Sequence, residues 1–256
     1  MESYSRVPFN KIDLNTPKLS IVIPCYNEAE NIPLLIKSID DVYKPGTEII
    51  LVDNGSTDQT SVVLNKELSR YANSFIRSIR VSKNIGYGHG IMSGIKECSS
   101  DFIAWTHADL QTDIKDVFNG YKLFVKQKEP HKVFLKGRRK KRKVFDALLT
   151  TGMSIITSFT LGQRLTDINA QPKIFHRSFI DKLENTPDDS SLDLYALYVA
   201  KKNNIKIIEL PVFFNERLYG EAKGGGGGSL STRIKLIQRT IAYIFKLKRE
   251  IRSRKS

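Results

Sequence analysis

Cysteine is nearly absent from this 256-residue chain, with only Cys25 and Cys98 present. That excludes a disulfide framework and a Cys-rich zinc site, and it leaves Cys25 in the first strand region as a reduced core thiol. Long apolar runs are missing as well. The longest uncharged stretch, 147–163, is short for a bilayer span and contains several Thr and Ser, so no transmembrane helix is expected. The N-terminus has no basic start followed by an apolar stretch, so no secretory signal is expected either. No internal repeat is visible. Acids are scarce, 27 Asp and Glu against 41 Lys and Arg. The resulting formal charge of +14 calls for an anionic partner: phosphate, nucleic acid or an anionic membrane.

What is present begins with the stretch 102–111. Phe102, Ile103, Ala104 and Trp105 read as a buried strand that ends abruptly in His107, Asp109 and Gln111. On an extended chain these three alternate positions leave on one face. A carboxylate with an imidazole and an amide at a strand's C-terminal end suits a divalent cation, and in open α/β sheets ligands bind at that end. The plainer alternative is a polar strand-to-helix turn with Asp109 as a cap.

Along the chain, residues 1–17 are polar and unpatterned, a loose arm. A strand over 19–24 breaks at Pro24 into a helix from the 25–31 segment through Ile39. A second strand, 48–53, ends in Asp53 and is followed by the turn Asn54-Gly55-Ser56-Thr57-Asp58. A third, 79–81, leads to Asn84-Ile85-Gly86 and a helix toward Cys98; the fourth is 102–105. This alternation predicts a mostly parallel sheet with helices on both faces. A helix from 113 to 127 and a strand over 133–135 follow. Then come seven bases around Gly137, from Lys136 to Lys143, read as a solvated loop or an anion-binding element. The spacing of Leu148, Leu149, Met153, Ile156 and Phe159 predicts a helix, and 167–175 reads as irregular. A helix near 193–201 and a strand over 205–210 complete the core. The five glycines of 224–228 and Ser229 have flexible-linker composition and resemble an engineered joint. A basic helix closes the chain, with Ile234, Ile237, Ile241, Ile244 and Phe245 on one stripe.

Three consecutive strand ends carry groups suited to a nucleotide. Asp53 can accept hydrogen bonds from a base or ribose, the 24–27 turn can pack on the base, and the Asn84-Ile85-Gly86 turn allows close backbone approach. Each alone is a common turn; together with Asp109 they form a row along one sheet edge.

These residues carry a family resemblance. Ile21-Val22-Ile23-Pro24-Cys25-Tyr26-Asn27-Glu28 resembles the opening of family 2 glycosyltransferases of the GT-A fold. Val52-Asp53-Asn54-Gly55-Ser56-Thr57-Asp58 and Asn84-Ile85-Gly86-Tyr87-Gly88 resemble their second and third motifs. His107-Ala108-Asp109-Leu110-Gln111 is similar to the metal motif of the dolichol-phosphate mannose synthase-like branch, and the segment from Arg217 to Lys223 is similar to a later motif of that branch. The resemblance spans about 19–223. It implies a GT-A (Rossmann-like) α/β domain over 18–223; the composition beyond it gives a 224–229 linker and a basic amphipathic helix over 230–256. It also implies a UDP- or GDP-hexose donor, Mg²⁺ or Mn²⁺, and inversion at the anomeric carbon.

Carried over by position, Pro24, Tyr26, Glu28 and Asp53 would hold the nucleoside, with Asn84, Gly86 and His107 also on the donor. Asp109 would bind the metal and Gln111 would support it. His107 stands where the branch has a carboxylate. Imidazole is a poorer ligand for Mg²⁺ and a better one for Mn²⁺; contact with ribose or phosphate, away from the metal, is the role assigned here. Arg138, Arg139, Arg217 and Lys223 suit an acceptor phosphate by charge-assisted contacts. Asp167 is the candidate base for a hydroxyl acceptor, with capping of the turn before Pro172 as its plainer role.

The two basic amphipathic elements suit an anionic bilayer, where each nearby base contributes about 1 kcal/mol. Nucleic acid is disfavoured, because no interleaved aromatic platform accompanies the bases. The expected protein is a cytoplasmic enzyme, peripheral to the inner face of the membrane, that transfers a hexose to a polyprenyl phosphate. Transfer to a sugar hydroxyl of a polysaccharide or glycolipid, and a catalytically silent binding protein, are the alternatives.

Overall fold

The structure, a computed structural model, describes residues 18–71, 76–140, 144–215 and 230–253. The arm over 1–17 and the glycine run lie outside the described residues.

Seven strands form one sheet in the order β3-β2-β1-β4-β6-β5-β7. They are β1 (Leu19–Cys25), β2 (Thr47–Asp53), β3 (Ile76–Arg80), β4 (Phe102–Trp105), β5 (Val133–Lys140), β6 (Lys173–His176) and β7 (Lys206–Phe213). β1 runs parallel to β2 and β4, β2 to β3, and β5 to β7. Only β6 is reversed, antiparallel to β4 on one side and β5 on the other. Six strands therefore end on the same edge, as the βα alternation predicts, and β6 begins there.

Every residue of β2 is buried, the mark of a strand covered on both faces. Alternate residues feed two cores. Val22, Ile50, Val52, Ile103 and Trp105 join one, under α3 (Tyr87–Lys96) and α6 (Leu192–Lys202). Ile21, Ile23, Ile49, Leu51 and Ala104 join the other, under α1 (Ile32–Asp40) and α4 (Lys115–Val125). Each fully buried Ile or Leu contributes about 1.5–3 kcal/mol. α1 shows the matching helical period: Ile32, Leu35, Ile36 and Ile39 are its buried residues, and a proline in its first turn marks its start. The remaining helices are α2 (Thr60–Leu68), α5 (Val144–Leu161) and α7 (Leu230–Ser253).

Several local expectations are corrected. β1 runs through Pro24 to Cys25 and α1 starts at Ile32, so 26–31 is a loop. β3 starts at Ile76, ahead of the expected 79. The segment 167–175 is not irregular throughout, because β6 begins at Lys173; four residues opened by a lysine carry too little alternation to read as a strand. The basic run is not simply a loop, because Lys136 to Lys140 continue β5. Lys136 is buried, with Nζ 3.0 Å from Glu209 and bonded to the Gly137 carbonyl at 3.3 Å. The stripe on α7 is divided: Ile244 and Leu247 are buried in the core with α6, while Ile234 and Phe245 are exposed. The last helix is thus part of the domain's packing. Among the described residues no helix is long and apolar enough to cross a membrane.

Asp116, in the first turn of α4, has its carboxyl pushed up to about 6, first by burial and then by Asp113. Its folded value lies above the ordinary 3.8. Folding therefore takes up a proton between those values, and stability falls as pH rises through that window. Asp116→Asn should raise the melting temperature at about pH 7.5 and give no gain at about pH 3, where both states are protonated. Thermal unfolding of the two proteins at the two pH values reads the difference.

Candidate active site

The shared strand direction gathers the loops after β1, β2, β3 and β4 on one edge, and hydrogen bonds tie them together. Asn54 N–H donates to the Cys25 carbonyl at 2.8 Å, and its Nδ2 donates to the Gly86 carbonyl at 2.9 Å. Asn27 N–H donates to Ser56 Oγ at 3.0 Å, Glu28 N–H to Thr60 Oγ1 at 2.8 Å, and Thr57 N–H to Asn27 Oδ1 at 2.8 Å. Two glycines permit the fit. A Cβ at Gly55 (φ +70°) would stand 2.4 Å from Asn84 N, and one at Gly86 (φ +151°) would stand 2.3 Å from the Asp188 carbonyl oxygen. Pro24, Tyr26, Glu28, Asp53, Asn84 and Gly86 are therefore brought to one rim.

Asp53 is buried. It accepts from Ser56 N–H at 2.9 Å, bonds the Ser61 hydroxyl, and has Arg80 Nε 3.7 Å away. Glu28 accepts from Asn31 Nδ2 at 2.5 Å. These partners set each carboxylate's orientation before any ligand arrives.

After β4 the chain does not stay extended. Leu110 adopts φ +58°, so the three alternating side chains do not share one strand face as expected. Asp109 is buried, and its Oδ1 accepts from Gln111 N–H at 3.2 Å. Gln111 is joined to Asn215, beyond β7: its Nε2 donates to the Asn215 carbonyl at 3.2 Å and its carbonyl accepts from Asn215 N–H at 2.8 Å. His107 packs against Tyr87, with ring centroids 5.5 Å apart. It also lines a cavity of about 370 Å³ with Leu34, Leu35, Leu110 and Asn215.

Among the described residues no three His, Cys, Asp or Glu side chains cluster as a metal cage. A hard cation shared with substrate phosphates needs only one or two protein carboxylates. The donor set at Asp109 fits an ion that arrives with a diphosphate.

The ends of β5 and β7 lie on the same edge. Arg139 holds Asp167 tightly: its N–H bonds Oδ2 at 2.6 Å, and its Nε and Nη2 bond Oδ1 at 2.8 and 2.6 Å. The Arg139 guanidinium also lies over the Phe214 ring at 5.6 Å. Asp167 is therefore not poised as a base; both of its oxygens are engaged in holding Arg139. Arg138 is largely exposed, 3.5 Å from Glu209. Arg217 and Lys223 lie outside the described residues.

Sequence reasoning missed a group beneath this rim: Tyr87, Gln171, Lys173 and Asp193. Tyr87 has its phenol pushed well above the usual range by burial, and then by Asp193 and Asp109. Lys173 is pushed down to about 8 by burial, against the pull of Asp193. Tyr87 lies within the third motif but carries no assigned role there; Gln171, Lys173 and Asp193 stand in none, and only a buried lysine with its acid partner, visible in the fold alone, signals them.

A mostly parallel α/β sheet with these loops at its strand ends, and a carboxylate just past the fourth strand, defines the GT-A class of glycosyltransferases. The chain belongs to glycosyl transferase family 2, whose profile matches residues 20–183. It is 28% identical over 210 residues to the undecaprenyl-phosphate 4-deoxy-4-formamido-L-arabinose transferase of Enterobacter sp. (strain 638). That match covers 80% of this chain and spans only 62% of the relative's length. Glucosyl-3-phosphoglycerate synthase from Mycobacterium tuberculosis, solved with Mn²⁺, UDP and glucosyl-3-phosphoglycerate, superposes with a TM-score of 0.70 at 15% identity, covering 96% of this chain and 86% of that one. The mannosyltransferase PcManGT from Pyrobaculum calidifontis, in complex with GDP-Man and Mn²⁺, superposes at 0.62 with 16% identity, over 91% of this chain and 71% of that one. At those identities the two structures speak for the fold.

Asp109→Asn keeps the shape of the side chain and removes its charge. Turnover should fall by about 10²-fold or more while the circular dichroism spectrum stays unchanged. His107→Asp should keep or raise activity and move the metal preference from Mn²⁺ toward Mg²⁺. Steady-state rates with each ion check both.

Proposed function

We propose that this glycosyltransferase moves a hexose, with inversion, from a UDP- or GDP-sugar to a polyprenyl phosphate while bound peripherally to an anionic membrane surface. The observation that carries this reading is the position of Arg138 and Arg139 at the end of β5, on the same edge as the donor-type loops. A cationic strand end facing a nucleotide rim suits an acceptor that is itself an anion. The relatives are consistent with it: one is named for undecaprenyl phosphate, and a fold neighbour was solved with glucosyl-3-phosphoglycerate.

In this mechanism Pro24, Tyr26, Glu28 and Asp53 hold the nucleoside, and Asn84, Gly86 and His107 border the diphosphate. Asp109 holds Mg²⁺ or Mn²⁺ and Gln111 steadies that loop. The ion, when bound, offsets the negative charge that develops on the leaving nucleoside diphosphate. Arg138 and Arg139, with Arg217 and Lys223, orient the acceptor phosphate so that one oxygen faces the anomeric carbon opposite the departing group. A phosphate oxygen already carries its charge and needs no base, whereas a sugar hydroxyl would need one. The engagement of Asp167 by Arg139 favours the phosphate.

For the membrane, the exposed apolar face of α5 is the main proposed contact. Ile155, Ile156 and Phe159 are 63%, 42% and 89% exposed, on the helix that follows the basic end of β5. Apolar side chains beside bases are the composition of an interfacial helix. The basic face of α7 adds attraction that salt screens. Removing α7 would take away buried Ile244 and Leu247 and uncover the α6 residues in the same core, so point substitutions are the cleaner probe.

A donor panel with undecaprenyl phosphate, with and without Mn²⁺, tests the reaction. Lipid-linked sugar and free UDP or GDP are expected; glycosylation of a sugar hydroxyl with none of the lipid phosphate would overturn the acceptor. Ile155→Ser with Phe159→Ser should lose flotation with anionic liposomes at high salt yet keep turnover of a soluble short-chain acceptor. Unchanged flotation would remove α5 from the contact.

A further inference from the structure

Asp193, in the first turn of α6, is a carboxylate sealed beneath the site at 2% exposure. Three side chains from outside its helix converge on it. Trp105 Nε1, at the end of β4, donates to Oδ1 at 3.1 Å. Gln171 Nε2, in the loop before β6, lies 3.0 and 3.2 Å from the two oxygens. Lys173 Nζ, opening β6, stands 3.3 Å from Oδ1. The lysine is fully buried, and it also donates to the carbonyls of Ile168 at 2.8 Å and Ala170 at 2.7 Å. Its three hydrogens are thus all used. The Gln171 amide also donates to Tyr87 Oη at 3.1 Å.

A buried ion pair is a poor way to add stability, because a well-packed apolar pair avoids the desolvation cost. What it does well is fix geometry: the Lys173 ammonium spends all its hydrogens on fixed acceptors and the Gln171 amide N–H groups bridge Asp193 and Tyr87, although the buried Gln171 Oε1 has no partner among the described residues. The members here lead directly to site residues. Trp105 is two residues from His107, and Tyr87 follows Gly86 and packs on the His107 ring. The loop pinned by Lys173 carries Asp167, which grips Arg139.

We propose that Asp193 is a positioning residue for glycosyl transfer, holding the Tyr87–His107 pair on the donor side and the Asp167–Arg139 pair on the acceptor side at one fixed separation. It touches neither substrate nor acceptor, and its enclosure leaves no path for it to take a proton from either. The proposal rests on glycosyl transfer from a nucleotide sugar and does not depend on the acceptor's identity.

Small misplacement of reacting groups lowers the chemical step far more than binding, by about 10²-fold for 1 Å. Asp193→Asn and Gln171→Met should each lower kcat by about 30-fold or more while donor KM stays within about threefold. Gln171→Met keeps the Trp105 and Lys173 bonds to Asp193, so it folds even where Asp193→Asn does not. Rates are measured with undecaprenyl phosphate and, independently, as hydrolysis of the donor without acceptor. Titration with UDP and GDP in Mn²⁺, followed by emission of the single tryptophan, Trp105, counts competent sites, so that an unfolded fraction is not mistaken for a slow enzyme. Turnover per competent site within twofold of wild type in Gln171→Met, or in folded Asp193→Asn, overturns the proposal. So does a rise in KM with kcat unchanged. A wild-type enzyme that hydrolyses the donor but never glycosylates the lipid phosphate overturns the acceptor reading instead, and the hydrolysis arm still decides the role of Asp193.

Discussion

Because β6 is antiparallel to both of its neighbours, the loop preceding it arrives at the edge where the other strands end. That single reversal puts 167–172 beside the donor-type loops, and the rest of the arrangement follows from holding it there. Lys173 is the first residue of the reversed strand, and its ammonium captures two carbonyls of the loop and the Asp193 carboxylate. A lysine at a strand's solvent end would ordinarily snorkel to water. Here it is turned inward and fully buried, and the sheet direction converts it from a surface charge into an anchor.

The same edge separates two kinds of electrostatic environment. On the donor side, acidic groups are placed early: Asp53 is fixed by Ser56, Glu28 by Asn31, and Asp109 by its own loop. On the β5 side, the bases are placed by acids, Arg139 by Asp167 and Lys136 by Glu209. In the proposed reaction, a rim rich in carboxylates takes its nucleotide together with a cation, and the guanidinium groups at the end of β5 take the acceptor anion. The division follows the sheet order, with β6 as the border.

Much of this was legible in the sequence where residues repeat with a physical period or close a turn. Strands β1, β2 and β4, the helices between them and the strand-end loops follow from β-branched runs, apolar spacing and Asn-Gly turns. The row formed by Pro24, Asp53, Gly86 and Asp109 was readable for the same reason, since each lies at a break between periods. β6 was not, because four residues beginning with lysine carry no alternation. The inward course of Lys136 and Lys173 was hidden because charge predicts exposure, and only tertiary partners reverse it. The pairing of Asp167 with Arg139 joins residues far apart in sequence, and nothing local announces it. The α7 stripe was recognised as apolar, but its burial depends on α6, which supplies the other half of the contact.

That last contact has a consequence for the order in which the protein is made. Ile244 and Leu247 complete the core that α6 begins with Leu194, Leu197 and Tyr198. From the end of α6 at Lys202 to Leu247 is 45 residues, so at about 5–20 residues per second the ribosome exposes one face of α6 for about 2–9 s before its cover is synthesised. The strands that carry the donor loops are already available by then. The nascent enzyme therefore holds a nearly formed nucleotide rim above an open apolar wall, and the interval between those two events is its most vulnerable to aggregation.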